Sequence, residues 1–210
     1  MTTLNDVLNS QHHIMVNGET GSGKTTVGEY LHEYGAGYSI FVNIQHEPVV
    51  GREVARWGRR EMAESKKINF NPEISDAQYI RAVERITFEL MEMGKQHCEE
   101  YPRSHWVTLI VDEAPVFLPQ GADNYLLQAL RRGKRYGVRI ILIAQNPVDV
   151  SKTARTQCHN HIIFELNAYN RPYFKTHGMD YDEIKKLTME KYFFTVWDGK
   201  TYSKRAKLKL

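Results

Sequence analysis

The sequence predicts an α/β chain built on a mainly parallel sheet, flanked by helices and closed by a C-terminal β-hairpin. Short apolar runs alternate with stretches of helical periodicity, the pattern of parallel strands joined by crossover helices. A Gly-rich segment sits between one such run and a helix. Near the end, residues 192–197 and 201–204 flank Asp198-Gly199-Lys200, a tight-turn signal.

In chain order, residues 1–11 are polar and read as a lead-in or brief helix, and 12–16 as a short buried strand. Gly18-Glu19-Thr20-Gly21-Ser22-Gly23-Lys24-Thr25-Thr26 follows, filling every fixed position of G-x-x-x-x-G-K-[ST]. Its glycines let successive backbone N–H groups turn inward on a phosphate chain, and the helix after it points its positive end at the same anion. Residues 19–26 (Glu19, Thr20, Gly21, Ser22, Gly23, Lys24, Thr25 and Thr26) are therefore the expected nucleotide contacts. Lys24 supplies a cation for the β- and γ-phosphates, and the Thr25 hydroxyl a ligand for Mg²⁺. The alternative, a Gly/Ser/Thr turn of no chemical meaning, does not explain a strand before the motif and a helix after it.

Gly35-Ala36-Gly37 ends that helix, and 38–44 is a second buried strand. Residues 49–64 look helical and basic (Arg52, Arg56, Arg59, Arg60), and 66–72 hold a short strand. Asp76 is the expected cap of a long amphipathic helix with Ile80, Val83, Thr87, Leu90 and Met91 on one face, running toward Tyr101 before Pro102. Residues 106–111 are an apolar strand ending in Asp112-Glu113. After Pro115, Pro119 and Gly121, residues 123–136 read as a helix carrying Arg131, Arg132, Lys134 and Arg135. Residues 138–144 are a buried strand ending in Gln145-Asn146-Pro147, and 162–166 another. No internal repeat or low-complexity tract is present.

A run of hydrophobic residues followed by two carboxylates gives the acids separate tasks. Asp112 is placed to hold the Mg²⁺ shell and Glu113 to polarise an attacking water. Gln145, at another strand end, offers an amide to the γ-phosphate or that water; the alternative is a glutamine opening a turn before Pro147. Arg132 and Arg135, with Arg131, are candidates for a finger reaching a neighbouring subunit's γ-phosphate, or equally a solvated helix face.

At 210 residues and 41% hydrophobic content the chain suits one domain, or one with a small appendage, and holds no two motor domains in tandem. A net charge of +3 permits nucleic-acid contact without demanding it. The basic residues concentrate at 131–135 and in a tail containing Lys200, Lys204, Arg205, Lys207 and Lys209. Two cysteines, Cys98 and Cys158, give no disulfide framework, and neither His97/Cys98/His105 nor Cys158/His159/His161 has zinc-knuckle spacing. No apolar run approaches the ~18 residues of a membrane span, and the N-terminus has no signal-peptide core, so a soluble cytoplasmic protein is expected.

Residues 18–26, 107–113 and 132–138 running into 143–147 together resemble the FtsK–HerA superfamily of DNA-pumping ATPases. The small size is similar to the genome-packaging ATPases of membrane-containing icosahedral viruses. Two positions depart from the family pattern: Lys134 stands where arginine is usual and Ala144 where threonine is usual. The first leaves the finger open among Arg131, Arg132 and Arg135, with Arg155 a further candidate. Thr156-Gln157-Cys158-His159-Asn160 is similar to the family's Q-C-N segment, which makes Cys158 a core position. The resemblance covers about residues 12–170, the core of one P-loop ATPase domain spanning 1–210; the hairpin and basic tail at 171–210 match nothing.

The resemblance implies a RecA-like core, ATP and Mg²⁺ as cofactors, and a homo-oligomeric ring, commonly a hexamer, that hydrolyses ATP between subunits to drive double-stranded DNA through a pore. It also implies a host-cytoplasmic or virion-associated location and a virion vertex or membrane protein holding the ring. Residues 52–60, Lys66-Lys67 and the 200–209 tail are candidate pore contacts. A cellular HerA-like translocase in DNA processing, or a conjugation or chromosome-partition motor, shares these motifs; the small size favours packaging. A small P-loop nucleotide kinase needs no water-activating acid after Asp112. A DEAH-box helicase requires histidine where Pro115 stands and a second domain. A relic P-loop is at odds with intact Lys24, Thr25, Asp112 and Glu113.

Overall fold

A computed structural model describes residues 3–45, 49–100 and 106–207. Tyr101 and Pro102, where the long helix was expected to end, and His105 and Lys209 lie outside the described residues. The elements in order are α1 (Leu4–Leu8), β1 (Ile14–Asn17), α2 (Lys24–Tyr34), β2 (Tyr38–Val42), β3 (Arg52–Val54), α3 (Arg59–Glu64), β4 (Lys67–Phe70), α4 (Asp76–Glu100), β5 (Val107–Val111), α5 (Ala114–Phe117), α6 (Tyr125–Arg132), β6 (Val138–Ala144), α7 (Lys152–Gln157), β7 (Asn160–Ile163), α8 (Arg171–Thr176), α9 (Tyr181–Thr188), β8 (Phe193–Trp197) and β9 (Ala206–Lys207).

The strands form one sheet in the order β3-β4-β2-β5-β6-β1-β7-β8-β9, parallel from β3 through β7 and antiparallel beyond. Registers of Asn17 with Ala144, Val111 with Leu142 and Val42 with Val111 bring the C-terminal ends of β1, β6, β5 and β2 to a common edge. Every residue of β1, β5 and β6 is buried, because helices cover both faces. Alternate side chains go to opposite layers. Met15, Leu109, Ile140 and Leu142 pack with Ile86 and Leu90 of α4 and Leu126 and Leu130 of α6. Val16, Ile110, Ile141 and Ile143 pack with Val27 and Leu31 of α2. Each such side chain contributes roughly 1.5–3 kcal/mol when fully buried.

Four expectations need correction. Residues 49–64 are not one helix: Gly51 at φ +118 and an extended Gly58 interrupt it, leaving β3 and the short α3. Helix α4 begins at Asp76, but Ser75 precedes it as the cap, with its backbone N–H donating to the Gln78 side chain at 3.2 Å. Helix α6 starts at Tyr125 because Asn124 accepts from the Leu127 N–H at 3.0 Å, and it gives way to a 3₁₀ turn at Gly133–Tyr136. In the hairpin, Ser203 Oγ accepts the Val196 N–H at 2.9 Å, so a side chain takes a ladder position. The second strand reforms only at Ala206–Lys207, after a single bridge between Trp197 and Tyr202. Helices α8 and α9, unanticipated from sequence, fill the stretch before it.

Candidate nucleotide site

The site is assembled at the sheet edge where β1, β6, β5 and β2 end. Gly23 takes φ +102, a left-handed conformation that glycine adopts freely, as the chain enters α2. At Gly18 an added Cβ would lie 2.6 Å from both Phe164 and Ser22, so only glycine lets the loop lie against β7's continuation. Lys24 is 8% exposed and its Nζ donates to Glu19 O at 2.9 Å. Burial pulls its pKa down, opposed by the charges of Asp112, Glu113 and Glu19. The loop thus holds a buried cation beside backbone donors, an arrangement that accepts an anion.

Thr25 Oγ1 donates to Asp112 Oδ2 at 3.2 Å, joining α2 to the end of β5. Asp112 is 7% exposed. Burial raises its pKa; the Glu113 N–H bond to Oδ1 at 2.9 Å, the Thr25 hydroxyl and Lys24 pull it back, while the charge of Glu113 pushes it further up. Glu113 has φ +52, uncommon for a residue with a side chain. Its Oε1 accepts from Gln45 Nε2 at 2.9 Å and Gln145 Nε2 at 3.2 Å, and Thr20 Oγ1 donates to Gln145 Oε1 at 3.0 Å. One continuous chain therefore runs from the Gly-rich loop through Gln145 and Glu113 to Gln45. These groups line a cavity of about 430 Å³ with Gly21, Gly23, Thr26 and Tyr192. Among the expected contacts, Ser22 is buried against the loop and Glu19 faces solvent.

Mg²⁺ prefers a few hard oxygen ligands together with water and phosphate oxygens. The adjacent Thr25 hydroxyl and Asp112 carboxylate fit that requirement. Among the described residues no cluster of three His, Cys, Asp or Glu side chains forms a metal site of its own.

The arginines lie elsewhere. Arg131, Arg132, Lys134 and Arg135 line a cavity of about 740 Å³ with Gln11. They precede β6 whereas Gln145 follows it, so the strand's length, roughly 20 Å, separates them from the nucleotide cavity. Arg155 is buried on α7, with its guanidinium 6.0 Å from the Tyr173 ring centre. Arg52 and Arg60 both pair with Glu64 at the far edge of the sheet. Two lining residues escaped the sequence reading. Gln45 carried a weak signal, as a polar residue just past a buried strand; Tyr192 carried none.

A parallel sheet in which β6 separates the Gly-rich-loop strand from the Asp112 strand, with a buried lysine and an acid pair at its edge, defines a P-loop nucleoside triphosphatase. The chain belongs to the AAA domain family, whose model matches residues 7–149, and is an ATP hydrolase. Its fold is similar to the genome packaging NTPase B204 of Sulfolobus turreted icosahedral virus 2 in complex with ATP-gammaS, with a TM-score of 0.69 and 15% identity over 95% of this chain and 98% of that one. It is also similar to VirB4 of Thermoanaerobacter pseudethanolicus (TM-score 0.63, 11% identity, 94% and 89% covered). A third likeness is to EssC (ATPases 2 and 3) from Geobacillus thermodenitrificans (TM-score 0.58, 16% identity, 90% and 38% covered). No curated protein sequence matches the chain. No helix among the described residues is long and apolar enough to cross a membrane.

Proposed function

We propose that this ATP hydrolase is a motor that moves double-stranded DNA, of the genome-packaging kind, working as a homo-oligomeric ring, most simply a hexamer. The observation that carries the proposal is the likeness to a genome packaging NTPase over nearly the whole of both chains, 95% and 98%. The FtsK–HerA-like motifs at 18–26, 107–113 and 132–147 support it. Residues 1–210 then act as one ATPase domain, in the host cytoplasm or on the virion, with a virion vertex or membrane protein as the ring's anchor.

The geometry of the site supports a role for each residue. Residues 19–26 cradle the phosphates, with Lys24 Nζ exchanging the Glu19 carbonyl for the β- and γ-phosphate oxygens. Thr25 and Asp112 would hold Mg²⁺, which neutralises charge on those oxygens. Glu113 takes a proton from the attacking water, and the amides of Gln45 and Gln145 fix the direction of its carboxylate. Gln145 also touches Thr20, so loss of the γ-phosphate alters contacts at the end of β6. The other end of β6 follows the arginine cluster. There Arg132 and Arg135, with Arg131 and Arg155 as alternates, are the residues to supply a neighbour's site with positive charge.

Translocation is read directly by displacement of a third strand from a triplex-bearing linear duplex. The proposal expects ATP-dependent displacement that Glu113→Gln abolishes. Intact ATP turnover with no displacement on any duplex would contradict it.

A further inference from the structure

Beside the phosphate end lies a second cavity of about 270 Å³, bounded by the Gly-rich loop, Phe164 and the turn before β8. Thr20, Gly21 and Tyr192 line both cavities, so the two meet along the flank of the loop. Tyr192 has φ +67, and only one other described residue with a side chain, Glu113, has positive φ. Left-handed backbone at a bulky aromatic residue persists only where its surroundings hold it, and it gathers at ligand sites. Here the surroundings are visible. The turn is closed by the Phe193 N–H donating to Glu190 O at 3.1 Å, and Arg205 from the far arm of the hairpin pairs with Glu190 at 2.6 Å and lies 3.7 Å from the Phe193 ring centre. Lys191 sits 4.9 Å from the Tyr192 ring centre.

Lys24, Thr25, Asp112 and Glu113 give the first cavity groups suited to phosphate, metal and water, and its aromatic residue, Tyr192, lies on the side shared with the second cavity. The nucleoside must leave along the loop, and the adjoining cavity offers an aromatic ring and space for a planar bicycle. We propose that this second cavity is the base subsite and that Tyr192 is the surface on which a purine stacks. The proposal rests on the ATP-hydrolase reading and adds the side chain that recognises the nucleoside. A purine overlaps a tyrosine ring over more area than a pyrimidine does, so the site should favour ATP over CTP.

Calorimetric titration of the full chain, Tyr192→Gly and Tyr192→Phe with Mg-ATP, Mg-CTP and inorganic tripolyphosphate tests this. Glycine is chosen because it removes the ring and accepts positive φ without strain. Tyr192→Gly should weaken ATP about tenfold, leave tripolyphosphate within about twofold and erase the preference for ATP over CTP, while Tyr192→Phe keeps the parent's values. Equal losses for ATP and tripolyphosphate, or no loss for ATP, would overturn the base subsite. A parent that binds tripolyphosphate as tightly as ATP would overturn it too, and leave the phosphate site standing. A parent that binds neither would overturn the phosphate site and the base subsite together.

Discussion

Glu113 sits where β5 turns into α5 within two residues, and its left-handed backbone, worth roughly 1–2 kcal/mol of strain, brings its carboxylate to Gln45 and Gln145. Replacing it by glutamine should leave ATP affinity within about threefold and slow hydrolysis by at least ~10²-fold in a single-turnover assay, the size of a lost general base. Lys24→Ala, by contrast, should reduce binding itself. Asp112 is strained electrostatically. Burial raises its pKa, so keeping this carboxylate ionised costs the folded protein stability. Asp112→Asn should therefore raise the Tm of the nucleotide-free protein by ~2–4 °C per kcal/mol relieved, with the gain shrinking as pH falls and the parent's carboxyl is neutralised. Scanning calorimetry from neutral to acid pH reads both. Lys24, Thr25, Asp112, Glu113 and Gln145 were legible in the sequence because fixed spacing after buried strands leaves their side chains one place to go. Gln45 and Tyr192 were not, because they reach the cavity from segments with no motif.

Two elements are fastened by buried polar side chains. Arg139 within β6 donates from Nη1 to Leu8 O at 2.9 Å and Ser10 O at 2.6 Å, and from Nε to Thr108 Oγ1 at 3.1 Å, tying the end of α1 to the sheet. Arg139→Met leaves those carbonyls unpaired and should cost about 2–4 kcal/mol in denaturant unfolding, with ATP affinity little changed. At the other side, Asn17 Nδ2 donates to Tyr173 Oη at 2.7 Å, Tyr173 bonds His161 Nδ1 at 2.6 Å, and His161 Nε2 meets Cys158 O at 3.1 Å. The carbonyl requires a proton on Nε2, so Nδ1 accepts and Tyr173 donates; burial keeps His161 neutral by pushing its pKa well below the usual value. This chain anchors α8 to the strand that opens the Gly-rich loop. The buried parallel strands were legible because they are apolar on both faces. The 49–64 stretch was not, since its basic residues mimic a helical face while the backbone leaves the helical region at Gly51 and Gly58, and α8 and α9 are too short for their periodicity to stand out.

For the whole molecule, burial lowers the pKa of His13 and His32 from 6.5 to about 4. Between those values the unfolded chain takes up protons that the folded one refuses, so stability should fall as pH drops from about 6.5 toward 4. A lower urea midpoint at pH 5 than at pH 7 would register it. If sites are shared between subunits, mixing an Arg132→Ala/Arg135→Ala chain with a Lys24→Ala chain should recover part of the ATP turnover each lacks; no recovery at any ratio argues against those arginines. The central claim, a motor on double-stranded DNA, meets its most direct test in steady-state ATP hydrolysis with and without long duplex DNA at low and moderate salt, with Glu113→Gln as the blank. The account predicts turnover that DNA stimulates and that salt progressively erodes, as counterion release at phosphate contacts requires. Turnover indifferent to DNA, or raised instead by a nucleoside or nucleotide acceptor, would contradict it.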